Sequence, residues 1–256
     1  MILDSMNRDY NISNNIFGGW TNYFLRNEKQ LIKINNIKPE QATLIEPLAC
    51  AFEAAIKFKI HRNSKILIIG MGTIGLALNS ILKFMYKDKL KIHFFSNSKK
   101  DNIKIKNGNI PKVHLSDNII ISTTKLLKTE IIESFGNQIT VDGFDYIFDT
   151  SGSNNLIHKI LRITKKKSKI ILMGMNMKKF KFDPTPIWLN ELEIVSTHGY
   201  NLNFKKYNLL KYISWLIFKN KIDINYLNTK KFSFNNYEKF INEKNDMVKK
   251  KTITFN

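Results

Sequence analysis

From Lys65 onward, short apolar runs alternate with stretches in which apolar residues recur at helical spacing, a pattern that predicts parallel β-α units. "KILIIG" (65–70) reads as a buried strand, and the residues after it put Ile74, Leu78, Ile81 and Met85 on one helical face. "KIHFF" (91–95) is a second strand. A polar, lysine-rich stretch then leads to "NIIIS" (118–122), the weakest strand candidate. "DYIFD" (145–149) precedes a helix with Leu156, Ile157, Ile160 and Leu161 inward, "KIILMGM" (169–175) is another buried strand, and "LEIVSTHG" (192–199) is the sixth. Six strands joined by helices predict an α/β fold with a Rossmann doubly wound parallel sheet, whose ligands sit at the carboxyl ends of the strands.

Two flanking pieces break this rhythm. "FGGWTNYFLRNEKQLIKI", with Gly18-Gly19 and alternating aromatic residues, suggests strands near the start. After an amphipathic helix around Leu209, Ile213 and Leu216, the chain reads "KKFSFNNYEKFINE" and ends in "KTITFN". The expected organisation is therefore a nucleotide-binding unit over 46–220 inserted between parts of a second domain, 1–45 and 221–256.

The chemistry is concentrated in "ILIIGMGTIG" (67–76), where the first strand runs into Gly70, Gly72 and Gly75 and a helix follows. In a strand-turn-helix, such spacing lets the first glycine turn tightly, the second admit a pyrophosphate and the third pack helix on strand. Gly70, Gly72, Thr73, Ile74 and Gly75 are the candidate phosphate-binding residues, with the anion on free N–H groups at the helix N-terminus. A glycine-rich turn without a ligand is the alternative.

An acid at the end of the second strand would bind the ribose 2′-hydroxyl of NAD, but twenty-one residues after Gly75 stands Ser96, in "FFSNSKK". Ser96 and Ser98 can donate hydrogen bonds and Lys99 or Lys100 can supply charge, so the site reads as favouring NADP(H) over NAD(H). The competing reading is a solvated lysine loop.

Composition narrows the field. The 256 residues are 43% hydrophobic, enough for a proper core. Cys50 is the single cysteine, which excludes an internal disulfide and a cysteine-cluster zinc site and fits a reducing compartment. "MILDSMNRDYNISNN" has neither the basic start nor the apolar core of a signal peptide, and the nearly apolar run from Ile66 to Leu78 is too short and too glycine-rich for a membrane span. A soluble, cytoplasmic protein without a membrane partner is expected. The formal charge of +20 is nearly all lysine, with arginine only at Arg8, Arg26, Arg62 and Arg162, amid abundant Asn and Ile that point to base-composition drift. Scattered lysines without the arginine fork argue against nucleic acid as the principal partner.

With these motifs in hand, the chain resembles the medium-chain dehydrogenase/reductase superfamily, in its zinc-type alcohol and polyol dehydrogenase group, from about Gly18 to the C-terminus. The resemblance rests on "FGGWTNYF", "LIEPLAC" (44–50), "GMGTIG" (70–75), "DTSGS" (149–153), "NELEI" (190–194) and the closing "FSFNNYEKF" with "KKTITF", in the family's order. It implies that Ser151, Gly152 and Ser153 in "DTSGS", and Gly174, face the nicotinamide, and that the flanks are remnants of a GroES-like catalytic domain. It also implies a catalytic zinc, yet the family's zinc cysteine, Gly-His-Glu segment and four-cysteine lobe have no counterparts here. Glu46, in "EPL", is the one ligand the resemblance suggests, and one carboxylate cannot hold zinc. A helix-start acid before Pro47 is the other reading of Glu46, and Cys50 reads as a small buried residue of the same helix. His61, His93, His114, His158 and His198 are dispersed.

The resemblance implies an NADP-dependent oxidoreductase interconverting an alcohol or polyol with its carbonyl. The alternative is a truncated or split-gene NADP-binding protein without activity of its own. Its catalytic residues, substrate and oligomeric state, a homo-oligomer included, stay open at this point.

Overall fold

The computed structural model describes residues 31–34, 36–96, 113–114, 119–174, 176, 178–200, 203–204, 207–227, 229–242 and 250–254. Helices α1 (Pro39–Ala42) and α2 (Ile45–Lys57) lead into β1 (Lys65–Ile69), α3 (Thr73–Tyr86), β2 (Lys91–Phe95) and β3 (Val113–His114). There follow α4 (Ile119–Leu127), β4 (Ile131–Ser134), β5 (Asn137–Thr140), β6 (Phe144–Asp149), α5 (Asn154–Ile160), β7 (Thr164–Leu172), α6 (Thr185–Leu189) and β8 (Glu193–Ser196). The remainder comprises β9 (Asn203–Phe204), β10 (Tyr207–Asn208), α7 (Leu209–Phe218), β11 (Thr229–Ser233), a 3₁₀ turn, α8 (Tyr237–Asn242) and β12 (Lys250–Thr254).

Six strands form one parallel sheet in the order β3-β2-β1-β6-β7-β8. The chain moves outward from β1 to β3, then returns to the other side of β1, so β1 and β6 flank a topological switch point. Alternate residues of the strands feed two cores. Ile66, Ile68, Phe94, Phe148 and Ile171 face α2, α3 and α7, whereas Leu67, Ile69, Phe95, Ile147 and Ile170 face α4 and α5. This double burial explains why "ILII" is apolar throughout instead of alternating.

Helix α3 lies between the sheet and α2, which accounts for its broad buried face: Leu76, Ala77, Leu78, Ile81 and Leu82 are buried, with Ile74 and Met85 partly so. Ala51, Ala54 and Ala55 of α2 are fully buried beside it, their small side chains allowing close helix packing. The inward face expected after β6 is present in α5 and its end, through Leu156, Ile157, Ile160 and Leu161, and that of α7 through Leu209, Ile213 and Leu216.

The structure corrects one element. The described part of "NIIIS", 119–122, belongs to helix α4, not to a strand: Ile119 is buried, the Thr123 hydroxyl donates to the Ile119 carbonyl at 2.7 Å, and Ile121 is exposed. A run of β-branched residues has strand propensity, but packing on α5 overrides it here. The third sheet strand is instead the two-residue β3, paired with Phe94 and Phe95. Between α4 and β6 the chain also forms the antiparallel β4-β5 hairpin, closed by Phe135 and Gly136, both at positive φ (49° and 69°). In the C-terminal part, β11 pairs in parallel with β12, and Lys231 of β11 forms an ion pair with Glu40 of α1.

Candidate functional site

At the carboxyl end of β1 the chain turns through Gly70, at φ +95°, a conformation that L side chains rarely adopt. Neighbouring strands pin this turn: the Gly70 N–H donates to the Phe95 carbonyl of β2 (2.9 Å), and the Thr150 N–H and hydroxyl, just past β6, both donate to the Ile69 carbonyl (3.0 and 2.7 Å). Gly75 sits in the first turn of α3, where an added Cβ would run into the Gly70 carbonyl oxygen. At Gly72, the N-cap of α3, an added Cβ would meet no described atom within 4 Å, and glycine itself supplies no side-chain cap. The three glycines thus do different work: one turns, one packs, and one leaves open space among the described residues at the N-terminus of α3, where an anion is favoured.

The ends of β6 and β7 complete the crevice. Asp149 is 4% exposed, and its carboxylate accepts from the Ser151 N–H (2.8 Å), the Ser151 hydroxyl (2.7 Å) and the Gly152 N–H (3.3 Å). Its carbonyl accepts from Met173 and Gly174 (2.9 and 2.8 Å), tying β7 to the same turn. A Cβ at Gly174 would strike the Gly152 nitrogen and the Thr150 carbonyl carbon, so glycine is what lets the two segments touch. Gly70, Gly72, Thr73, Ile74, Gly75, Ser151, Gly152 and Gly174 therefore share one edge of the sheet, around the switch point. Ser96 follows Phe95 directly at that edge and is 7% exposed. Ser98, Lys99 and Lys100 lie outside the described residues. Open space at Gly72 among the described residues, the N-terminus of α3 beside it and two glycine-dependent close approaches fit a dinucleotide.

Glu46 lies in the first turn of α2, in agreement with a helix-start acid, and its carboxylate accepts from the Cys50 thiol at 3.3 Å. Cys50 is half-buried; burial first, then the Glu46 charge, raises its thiol far above the ordinary range, so it is not a ready thiolate. Burial first, then Glu46, also pushes the Tyr200 phenol up to about 12. Tyr200 carried no sequence signal, because only the fold brings the segment after β8 against α2. Among the described residues no group of three His, Cys, Asp or Glu side chains could hold a metal ion. His93 packs against Phe144 (ring centroids 5.8 Å apart), His158 lies on α5, and His61 is at the opposite edge of the sheet. The described residues do not fit the zinc that the resemblance implied.

Residues 119–215 match the family model described as zinc-binding dehydrogenase. Over those residues the chain is similar to zinc-binding dehydrogenases. D-arabinitol dehydrogenase 1 of Uromyces fabae is 24% identical over 182 residues, covering 70% of this chain and 50% of that protein. A Sinorhizobium meliloti 1021 structure bound to NADP superposes with a TM-score of 0.70 at 16% identity, covering 93% of this chain and 66% of that one. An alcohol dehydrogenase of Escherichia coli CFT073 complexed with NADH gives 0.66 at 18% identity, covering 85% and 60%. These structural likenesses show that the chain shares the fold of those two proteins. The chain spans about half the length of the curated proteins it matches.

Proposed function

We propose that the chain binds NADP(H) at the carboxyl edge of the sheet and serves an oxidoreductase of the alcohol and polyol dehydrogenase type. The observation that carries this is the space left among the described residues by Gly72 at the N-terminus of α3, at the switch point of a doubly wound sheet. The α3 amides would hold the pyrophosphate, and Gly70 and Gly75 keep the turn tight enough to present them. Ser96, with Ser98 and Lys99 or Lys100, would take the 2′-phosphate. Ser151, Gly152 and Gly174 would lie against the nicotinamide, where the Asp149 hydrogen bonds fix the backbone. The bound dinucleotide supplies or accepts the hydride; the protein's part is to hold it and exclude competing poses. The substrate class, an alcohol or polyol and its carbonyl, follows the relatives, among them a D-arabinitol and a sorbitol dehydrogenase. Residues 46–220 form the nucleotide-binding unit in this reading, with 1–45 and 221–256 belonging to a GroES-like domain.

A second reading is favoured by the Glu46–Cys50 hydrogen bond and the lack of a metal-holding group among the described residues: a cofactor-binding chain without independent turnover. Fluorescence titration with NADPH and NADH, followed by an NADPH-oxidation assay on aldehydes and ketoses, separates the two. Tight NADPH binding with turnover supports the first, binding alone the second, and no binding of either nucleotide refutes both.

A further inference from the structure

A cleft lies at the opposite edge of the sheet, at the amino ends of β1, β6, β7 and β8. Its volume is about 710 Å³, within the range of about 300–1,000 Å³ usual for small-molecule sites. Six cationic side chains line it: Arg62, Lys65, Lys165, Lys166, Lys167 and Lys169. The lining carboxylates are three, Asp142, Asp145 and Glu193, so cations prevail.

The backbone builds this concentration. Between the register pairs Phe144↔Thr164 and Tyr146↔Lys169, β7 has four residues, 165–168, where β6 has only Asp145. The bulge turns consecutive lysines outward. Lys167 takes φ +62°, uncommon for a residue with a Cβ, and its N–H is held by the Asn190 carbonyl at 2.7 Å. Ser168, at the base of the bulge, is 4% exposed and its hydroxyl has no hydrogen-bond partner.

The existing ion pairs are of the kind an anion can displace. Lys65 meets Asp142 at 2.7 Å, Lys166 and Lys167 share Glu191 at 2.8 and 3.6 Å, and Lys169 meets Glu193 at 2.6 Å, each with at least one half-exposed partner. Exposed pairs of this type contribute only about 0–1 kcal/mol each. Arg62 adds a planar guanidinium fork to the lining, a geometry suited to phosphate oxygens.

We infer that this cleft is a second anion site, distinct from the nucleotide turn, and that it takes a small polyphosphate-type anion. Its size exceeds the needs of one phosphate, and separate lysine point charges suit a ligand with two or more anionic groups. Interspersed carboxylates break the continuous basic track that a nucleic-acid strand needs.

Calorimetric titration of the full chain with sodium tripolyphosphate tests the inference. One saturable equivalent is expected at about 0.15 M salt, unchanged when NADPH is saturating. Combined Arg62→Gln, Lys166→Gln and Lys167→Gln should weaken it by about tenfold or more, while thermal unfolding and NADPH titration stay at parent values. The inference falls if NADPH displaces the anion one for one, if binding does not saturate, or if the folded triple variant binds as tightly as the parent. It also falls if a single-stranded oligonucleotide binds the same residues more tightly than tripolyphosphate. Because the nucleotide turn is titrated separately, failure here leaves the NADP(H) reading untouched.

Discussion

Gly72 and Gly75 stand three residues apart and should fail in opposite ways. Gly72→Val places its side chain in open space at an ordinary φ of −75°, so the variant should unfold close to the parent temperature while losing both NADPH and NADH. Gly75→Ala drives a Cβ into the Gly70 carbonyl, and overpacking of this kind costs about 1–3 kcal/mol. Thermal unfolding beside fluorescence titration reads the contrast; a destabilised Gly72→Val would show that its space is structural. Ser96 carries the second residue-level prediction. Ser96→Asp sets a carboxylate against a 2′-phosphate, and loss of a charge-assisted hydrogen bond worth about 1.5–3 kcal/mol should cut NADPH affinity tenfold or more. NADH affinity should hold or rise, and equal effects on both nucleotides would remove Ser96 from the site. These residues were legible because glycine spacing and the end of a strand are local features. Asp149 was less so: its place in "DTSGS" was visible, but its gathering of three donors depends on a turn formed only in the fold.

Among the elements, α3 is held to the C-terminal part by a buried polar contact. The Ser80 hydroxyl lies 2.6 Å from the Tyr226 hydroxyl and donates to the Asp223 carbonyl at 2.6 Å, and the Asn79 side chain donates to Tyr226 at 3.0 Å. Tyr226→Phe leaves the Asn79 amide without its acceptor, a loss of about 1–3 kcal/mol measurable by urea unfolding. The contact also sets an alkaline limit. Burial pushes the Tyr226 phenol up to about 12, from the usual 10 of an unfolded chain. The unfolded state therefore releases the proton first: the stabilisation is fully present below about pH 10 and is lost as pH rises toward 12. Tyr226→Phe should be less stable at neutral pH yet decline less steeply across that window; parallel curves would assign the alkaline loss elsewhere. Strands β1, β2 and β6 were legible because burial on both faces leaves continuous apolar runs. Helix α4 was not, since Ile-Ile-Ile satisfies either period and packing on α5 decides it. The β4-β5 hairpin was hidden too, because its turn opens with Phe135, a residue that rarely takes positive φ.

For the whole molecule, the nucleotide crevice and the Glu46–Cys50–Tyr200 group are built from different residues, so cofactor binding and metal chemistry can be tested apart. The crevice is formed by backbone N–H groups and glycines of β1, β6 and β7, none of which needs a metal to hold its geometry. Glu46 already accepts the Cys50 thiol, and a zinc site requires three protein ligands. Purified chain of this sequence should therefore contain well under one zinc per molecule, and chelator treatment should leave NADPH affinity unchanged. Turnover of simple alcohols or polyols by the chain alone should be slow or absent, because a Lewis acid and its orientation of the substrate oxygen would both be lacking. Elemental analysis, titration with and without chelator, and the carbonyl panel together decide it. Stoichiometric zinc, with brisk turnover that disappears in Glu46→Gln, would mean that Glu46 leaves Cys50 to join ligands brought from elsewhere in the chain, and the reading as a non-catalytic binder would fall.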